Sequence, residues 1–110
     1  RAYLASEILK ESNINCSIIS MHTIKPFDKK TFIEFSKNSK AILTVEEHSI
    51  FGGLGECCAS LIAQNNINVK LKILGIPDEY MINGSQDDVL DHYNMSPEKI
   101  AEISKDLLNK

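Results

Sequence analysis

Apolar residues recur at helical spacing in four stretches of the chain. Intervals of three and four residues bring such positions to one face of a helix, so each stretch predicts an amphipathic helix. The apolar positions are Leu4, Ala5, Ile8 and Leu9; Phe32, Ile33 and Phe35; Leu54, Cys57, Cys58, Leu61 and Ile62; and Ile100, Ile103, Leu107 and Leu108.

Polar residues mark where several helices begin. Asp28 is a predicted N-cap, because its carboxylate can accept from the free amides of a first helical turn. Ser85 predicts a further short helix through Asp91, and Ser96 followed by Pro97 predicts the start of the last one. Four of the five predicted helices lie after a predicted strand or another helix.

Short apolar runs at residues 16–21, 41–45 and 69–74 predict three strands, each short enough to be buried between helices. The resulting order is helix, strand, helix, strand, helix, strand, helix, helix. Such alternation predicts one α/β domain over residues 1–110, with a mainly parallel sheet between two helical layers.

Composition excludes several functional classes. The 110 residues are 43% apolar and 25% charged, with a formal net charge of −3, which is typical of a soluble globular domain. Neither nucleic acid nor a membrane is an expected partner, since the chain has no basic patch and no long apolar run. Three cysteines, two of them adjacent, indicate reduced thiols and a cytoplasmic location.

The glycine-rich segment between the second predicted strand and the helix after it is the most informative part. Gly53 and Gly55 nearly match the G-x-G-x-x-G pattern, but the third glycine is replaced by Cys58, and no P-loop lysine follows. Glu56 would also repel a phosphate at the helix start. The pattern favours a structural turn at Gly52, Gly53 and Gly55; a stand-alone anion or nucleotide site at Gly52–Gly55 is the alternative.

No residue set predicts catalysis or a metal site within the chain. Glu46, Glu47 and His48 are adjacent, and neighbours on an extended segment point to opposite faces, so they do not converge on one ion. Asp87, Asp88 and Asp91 suit a helix start better than a magnesium site. Cys57 and Cys58 lie on or beside an apolar helix face and are expected to be core residues.

Three stretches together resemble one family. Residues 21–28 (MHTIKPFD), 43–56 (LTVEEHSIFGGLGE), and the tail from 78 to 100 with Gly84 and SPEKI are similar to the transketolase C-terminal domain. The resemblance covers essentially the whole chain and implies a three-layer α/β/α fold with a central, mostly parallel (mixed) sheet. Members usually carry a strand before the first helix, so the first strand is expected to be missing and the chain to be a fragment or subunit.

The resemblance also implies a function. The parent would be a homodimeric enzyme of carbohydrate metabolism that uses thiamine diphosphate and magnesium to transfer two-carbon ketol units between sugar phosphates. The domain itself would bind no cofactor and would support dimerisation beside the cofactor-binding domains or subunits, with Glu47 and His48 as candidate neighbours of the active site. Alternative parents are a deoxyxylulose-phosphate synthase or a 2-oxoacid dehydrogenase beta subunit, where the domain could serve as a pure interaction module.

Overall fold

The computed structural model describes residues 1–110, which divide into two compact units. The helical unit comprises Arg1–Ser20 and Glu79–Lys110, and the sheet unit comprises Met21–Asp78. The elements are α1 (Ala2–Glu11), α2 (Lys29–Lys37), β1 (Ala41–Ser49), α3 (Leu54–Gln64), β2 (Lys70–Ile76), α4 (Gln86–His92) and α5 (Pro97–Asn109).

The helical unit is built on the packing of α1 against α5. Ala5 and Leu9 of α1 are buried, as are Ile100 and Ala101 of α5, so both helices contribute a stripe of small and branched side chains. Leu4, predicted to share the α1 stripe, is 55% exposed instead. The spacing of apolar residues predicts the apolar face of a helix. It does not show which residues at the edge of that face a neighbouring helix covers.

Both helices of the tail begin where the sequence predicts. The Ser85 hydroxyl accepts from the Asp88 amide while the Asp88 carboxylate accepts from the Ser85 amide, which forms a complete capping box at α4. Ser96 caps α5 by accepting from the amide of Lys99, with Pro97 as the first helical residue.

The sheet unit contains two parallel strands. Ala41 is paired with Lys70 and the register runs regularly to Val45 opposite Leu74, then shifts before Ser49 meets Ile76. Helix α3 connects the strands and packs on both of them, as a parallel connection requires. The predicted parallel arrangement is confirmed, although β1 continues four residues beyond its predicted end at Val45.

The strand predicted over residues 16–21 is wrong. The segment has no regular secondary structure, and the side chains of Ile18 and Ile19 are 49% and 36% exposed. A strand exists only where a second strand satisfies its backbone groups, and the sheet contains β1 and β2 alone. Apolar, β-branched composition therefore identified a segment able to form a strand without identifying a partner for it.

Helix α3 buries less of its predicted face than the pattern indicates. Cys58 is 1% exposed, whereas the other four apolar residues of the stripe are only half-buried. The closest approach to the sheet is made by Gly55, because its missing side chain lets the helix backbone come near Ile73 of β2. The tight contact is thus centred one turn earlier than the apolar stripe suggests.

Candidate functional site

The candidate site is the connection between β1 and α3, which contains the glycine-rich segment. It begins at the irregularity in the β1–β2 register between Val45 and Ser49 and ends at Gly53, the N-cap of α3. The amide of Ile50 donates to the carbonyl of Ile76 at 2.9 Å, so the connection leaves the sheet beside the end of β2. Ligand sites of parallel sheets commonly lie at this carboxyl end of the strands.

The side chain of Glu46 caps helix α3. Its Oε2 accepts from the amide of Leu54 at 2.7 Å and its Oε1 from the amide of Gly55 at 2.9 Å. These amides belong to the first turn of a helix, where no backbone carbonyl can bond them, and a negative charge there is favoured by the helix dipole. A carboxylate of the protein itself therefore occupies the anion-attracting end of α3.

Each glycine of the turn has a local structural reason. A side chain at Gly53 would overlap the Glu46 carboxylate, and one at Gly55 would overlap Ile73. Gly52 adopts a φ of +74°, a left-handed conformation that favours glycine, and its amide donates to Glu56 Oε2 at 2.7 Å. Gly53 and Gly55 thus lie where another side chain leaves no room for a Cβ atom, whereas Gly52 provides the left-handed backbone of the turn.

The turn does not fit a phosphate, a nucleotide or a diphosphate cofactor. The amides that would bind the anion are already bonded to Glu46, and Glu56 adds a second carboxylate at the same helix start. Across residues 1–110, no group of three or more His, Cys, Asp and Glu side chains is arranged to hold a metal ion.

Glu47 and His48 lie beside the Glu46 cap but do not join it. Both are exposed, whereas Glu46 is half-buried and turns toward α3. Strict alternation would place His48 on the same side of the strand as Glu46, and the register of β1 is irregular between Val45 and Ser49. The Nδ1 atom of His48 lies 2.8 Å from the carbonyl oxygen of Ser49. Since a carbonyl only accepts, this contact requires a proton on Nδ1.

The acidic residues of α4 have structural partners. The Arg1 guanidinium bonds the carboxylates of Asp87 and Asp91 and also donates to the carbonyl of Met95 at 3.2 Å. Asp88 belongs to the capping box at Ser85. The three carboxylates therefore serve two different contacts and form no magnesium site.

Two of the three cysteine thiols have a raised pKa. Burial, with smaller contributions from the neighbouring Cys57 and Glu46, raises the pKa of the Cys58 thiol to about 12, so the thiol stays protonated at neutral pH. Desolvation also raises the pKa of Cys16. All three cysteines are free, and Cys58 is a buried core residue as predicted.

Two structural contacts were not predicted from the sequence: the cap that Glu46 forms on α3, and the bonds of Arg1 to Asp87 and Asp91. Glu46 lies eight and nine residues before the amides it bonds, well outside the three-residue spacing of a capping box. Arg1 contacts residues more than eighty positions away. No local pattern could have shown either contact, because each depends on how separate elements meet.

Comparison with known proteins gives a consistent set of matches. The family described as "Transketolase, C-terminal domain" matches residues 1–100. A transketolase C-terminal section of Methanocaldococcus jannaschii is 43% identical over 101 residues, covering 92% of this chain and 31% of the relative. An apulose-4-phosphate transketolase subunit of Phocaeicola vulgatus is 34% identical over 109 residues, covering 99% of this chain and 34% of the relative.

A structural comparison gives the same fold. A solved structure titled "Split gene transketolase, inactive beta4 tetramer" superimposes with a TM-score of 0.88 over 98% of this chain and 35% of that one, at 23% identity. The chain thus spans about a third of the length of the first two relatives and of this structure. None of its helices is long and apolar enough to cross a membrane.

Proposed function

Because the chain belongs to the transketolase C-terminal domain family, we propose that it is the non-catalytic C-terminal part of a thiamine diphosphate-dependent enzyme. The parent reaction is the transfer of a two-carbon ketol unit between sugar phosphates, with the cofactor and magnesium held by other domains or subunits. The proposal follows the transketolase names of the relatives that are 43% and 34% identical.

The Glu46 cap is the observation that carries the proposal. In a domain that bound the diphosphate itself, the free amides of a helix start would be the natural site, and here a carboxylate of the chain fills it. The glycine-rich composition of the turn resembles that of a ligand-binding loop. The side chain of Glu46, however, already bonds the amides that a ligand would use. This supports a structural role for the domain next to a cofactor bound elsewhere.

The same proposal includes the assembly and its setting. The partners are the cofactor-binding domains or subunits of the enzyme, the parent is a homodimer, and Glu47 and His48 are neighbours of its active site. The relative from Phocaeicola vulgatus is itself named as a subunit, which supports division of the enzyme into parts. Three free cysteines support a reducing, cytoplasmic location.

Titration calorimetry tests the proposal on the chain as it stands. Thiamine diphosphate with Mg²⁺, and separately ATP with Mg²⁺, should produce no binding tighter than about 1 mM, because no free amide cradle faces the ligand. Titration with Mg²⁺ alone provides the control for metal heats. Micromolar binding of thiamine diphosphate would contradict the proposal, and micromolar binding of ATP would instead favour the stand-alone nucleotide site at Gly52–Gly55.

A second parent activity has support from the relatives. A 1-deoxy-D-xylulose-5-phosphate synthase of Heliobacterium modesticaldum is 28% identical over 103 residues, covering 94% of this chain and 16% of the relative. The two transketolase relatives are more similar, so transketolase remains the first proposal. Both parents would place the domain in the same non-catalytic position.

A further inference from the structure

The loop before α4 contains the only asparagine of the chain that is followed by a glycine, Asn83 with Gly84. Residues 80–84 have no regular secondary structure, and every one of them is exposed. Water therefore reaches both the side-chain amide of Asn83 and the main chain that follows it.

Neither of these two groups is restrained by a hydrogen bond. The side chain of Asn83 and the amide of Gly84 have no hydrogen-bond partner. The restraints begin one residue later, where the amide and the hydroxyl of Ser85 both bond the carboxylate of Asp88. Because glycine has no Cβ atom, its main-chain nitrogen can approach the side chain of the preceding residue closely.

We propose that Asn83 is a site of spontaneous deamidation. The main-chain nitrogen of Gly84 attacks Cγ of Asn83, a neighbour to which the chain already joins it. A C–N bond forms and closes a succinimide ring, the bond from Cγ to Nδ2 breaks, and ammonia leaves with the proton of the Gly84 amide. Water then opens the ring at either carbonyl, which gives aspartate or isoaspartate. The sum of the steps consumes one water and adds a negative charge.

The isoaspartate product changes the main chain just before α4. Its peptide link runs through the former side chain, so the main chain gains one carbon between positions 83 and 84. Gly84 lies close to Asp88, since a Cβ atom on the glycine would be 3.2 Å from the Asp88 Cβ. Displacement of Gly84 therefore disturbs the capping box of Ser85 and Asp88. The aspartate product keeps the ordinary main chain and leaves the box intact.

Peptide mapping by mass spectrometry of the chain stored in a mildly alkaline buffer tests the reaction. Asn38, followed by Ser39, is the matched control: its side-chain amide donates to the Glu34 carbonyl at 3.0 Å, and the Ser39 amide donates to the Ser36 carbonyl at 3.3 Å. Both bonds must break before the same attack can begin, so Asn83 should deamidate at least about tenfold faster than Asn38. Equal rates at the two asparagines would overturn the proposal.

Storage in urea separates the effect of the fold from that of the neighbouring residue. Unfolding breaks the bonds that restrain Asn38, so its deamidation should accelerate about tenfold, whereas the rate at Asn83 should change little. An equally strong acceleration at Asn83 would show that the folded loop protects it, and would overturn the proposal.

A variant tests the chemistry of the attack. Asn83→Gln keeps a side-chain amide but adds one methylene group, so a succinimide cannot form and deamidation at this position should stop. Conversion of the glutamine as fast as that of Asn83 would overturn the proposed attack by the Gly84 nitrogen.

Melting curves test the effect on α4. The isoaspartate form, separated chromatographically from the stored chain, should melt about 4 °C below the unmodified chain, the shift expected for the loss of one helix cap. Asn83→Asp reproduces the added charge with an ordinary main chain and should melt with the unmodified chain. An isoaspartate form that melts together with this variant would overturn the predicted disturbance of the capping box.

Discussion

The helical unit and the sheet unit are stabilised by different means. Of the ten apolar side chains that are buried in the chain, seven belong to the helical unit and three to the sheet unit, although the sheet unit is the longer of the two. The seven are Ala5, Leu9, Leu90, Tyr93, Met95, Ile100 and Ala101, and the three are Phe32, Cys58 and Leu74. Apolar burial is thus concentrated in the part without the candidate site.

Both buried polar residues of the chain lie in the sheet unit. Its buried residues include two polar ones: Ser36, which donates to the Phe32 carbonyl at 2.6 Å, and Thr44, whose hydroxyl has no partner. Its turn depends on the two bonds accepted by Glu46. The connection between β1 and α3 is thus positioned by polar contacts, whose strength depends on distance and angle.

The largest expected effect is the loss of apolar packing in the helical unit. Ile100→Ala removes most of a side chain that is 3% exposed and leaves a cavity between α1 and α5, so it should lower the free energy of unfolding by about 2–5 kcal/mol. Urea denaturation measures the change. Leu4→Ala on the exposed side of α1 is the control and should change stability by less than about 0.5 kcal/mol.

A loss below about 0.5 kcal/mol in both variants would show that the helical unit does not depend on this core. A loss of about 2–5 kcal/mol in both would instead show that Leu4 is covered in solution.

An intermediate effect is expected when the helix cap of the sheet unit is changed. Glu46→Gln keeps the size of the side chain but replaces one acceptor oxygen by an N–H donor, which leaves an α3 amide without a partner. Such a loss should reduce stability by about 1–3 kcal/mol and increase hydrogen exchange at the amides of Leu54 and Gly55. Glu34→Gln, an exposed carboxylate on α2, is the matched control.

Rapid exchange at Leu54 and Gly55 already in the unmodified chain would contradict the role of Glu46. The start of α3 would then lack the polar support that the two bonds to Glu46 provide.

The smallest effects are expected at two exposed caps, one in each unit. Hydrogen bonds from the Thr31 hydroxyl and amide lower the pKa of Asp28 at α2, and those from Ser85 lower the pKa of Asp88 at α4. A carboxylate whose pKa is lower in the folded chain stabilises it above the unfolded pKa, and this contribution is lost as pH falls through the folded value. Both caps should therefore weaken between about pH 5 and pH 2.

Melting curves measured across that range for Asp28→Asn and Asp88→Asn test this expectation. Each variant keeps a side-chain acceptor but cannot titrate, so its melting temperature should depend less on acid pH than that of the unmodified chain. A pH dependence that neither variant changes would show that other carboxylates control acid unfolding.

Much of the fold was predictable because its signals are local. The caps at Asp28, Ser85 and Ser96 depend on residues three positions away, and the helical stripes repeat within a single element. The parallel pairing of β1 and β2 followed from the alternation of strands and helices. The failed strand over residues 16–21 and the exposed Leu4 both concern what another element covers, which no local pattern contains.

The candidate site, too, was predictable only where its signals are local. Amino-acid types alone indicated a tight turn at Gly52, Gly53 and Gly55, and the absence of a P-loop lysine counted against a nucleotide site. Only the tertiary structure showed that the Glu46 carboxylate closes the helix start, because a strand had to bring it to amides eight and nine residues further on. Most elements, their caps and the family resemblance could be predicted from the sequence alone. Folding decided which polar groups meet, since charge and hydrogen bonding depend on distances that exist only after packing.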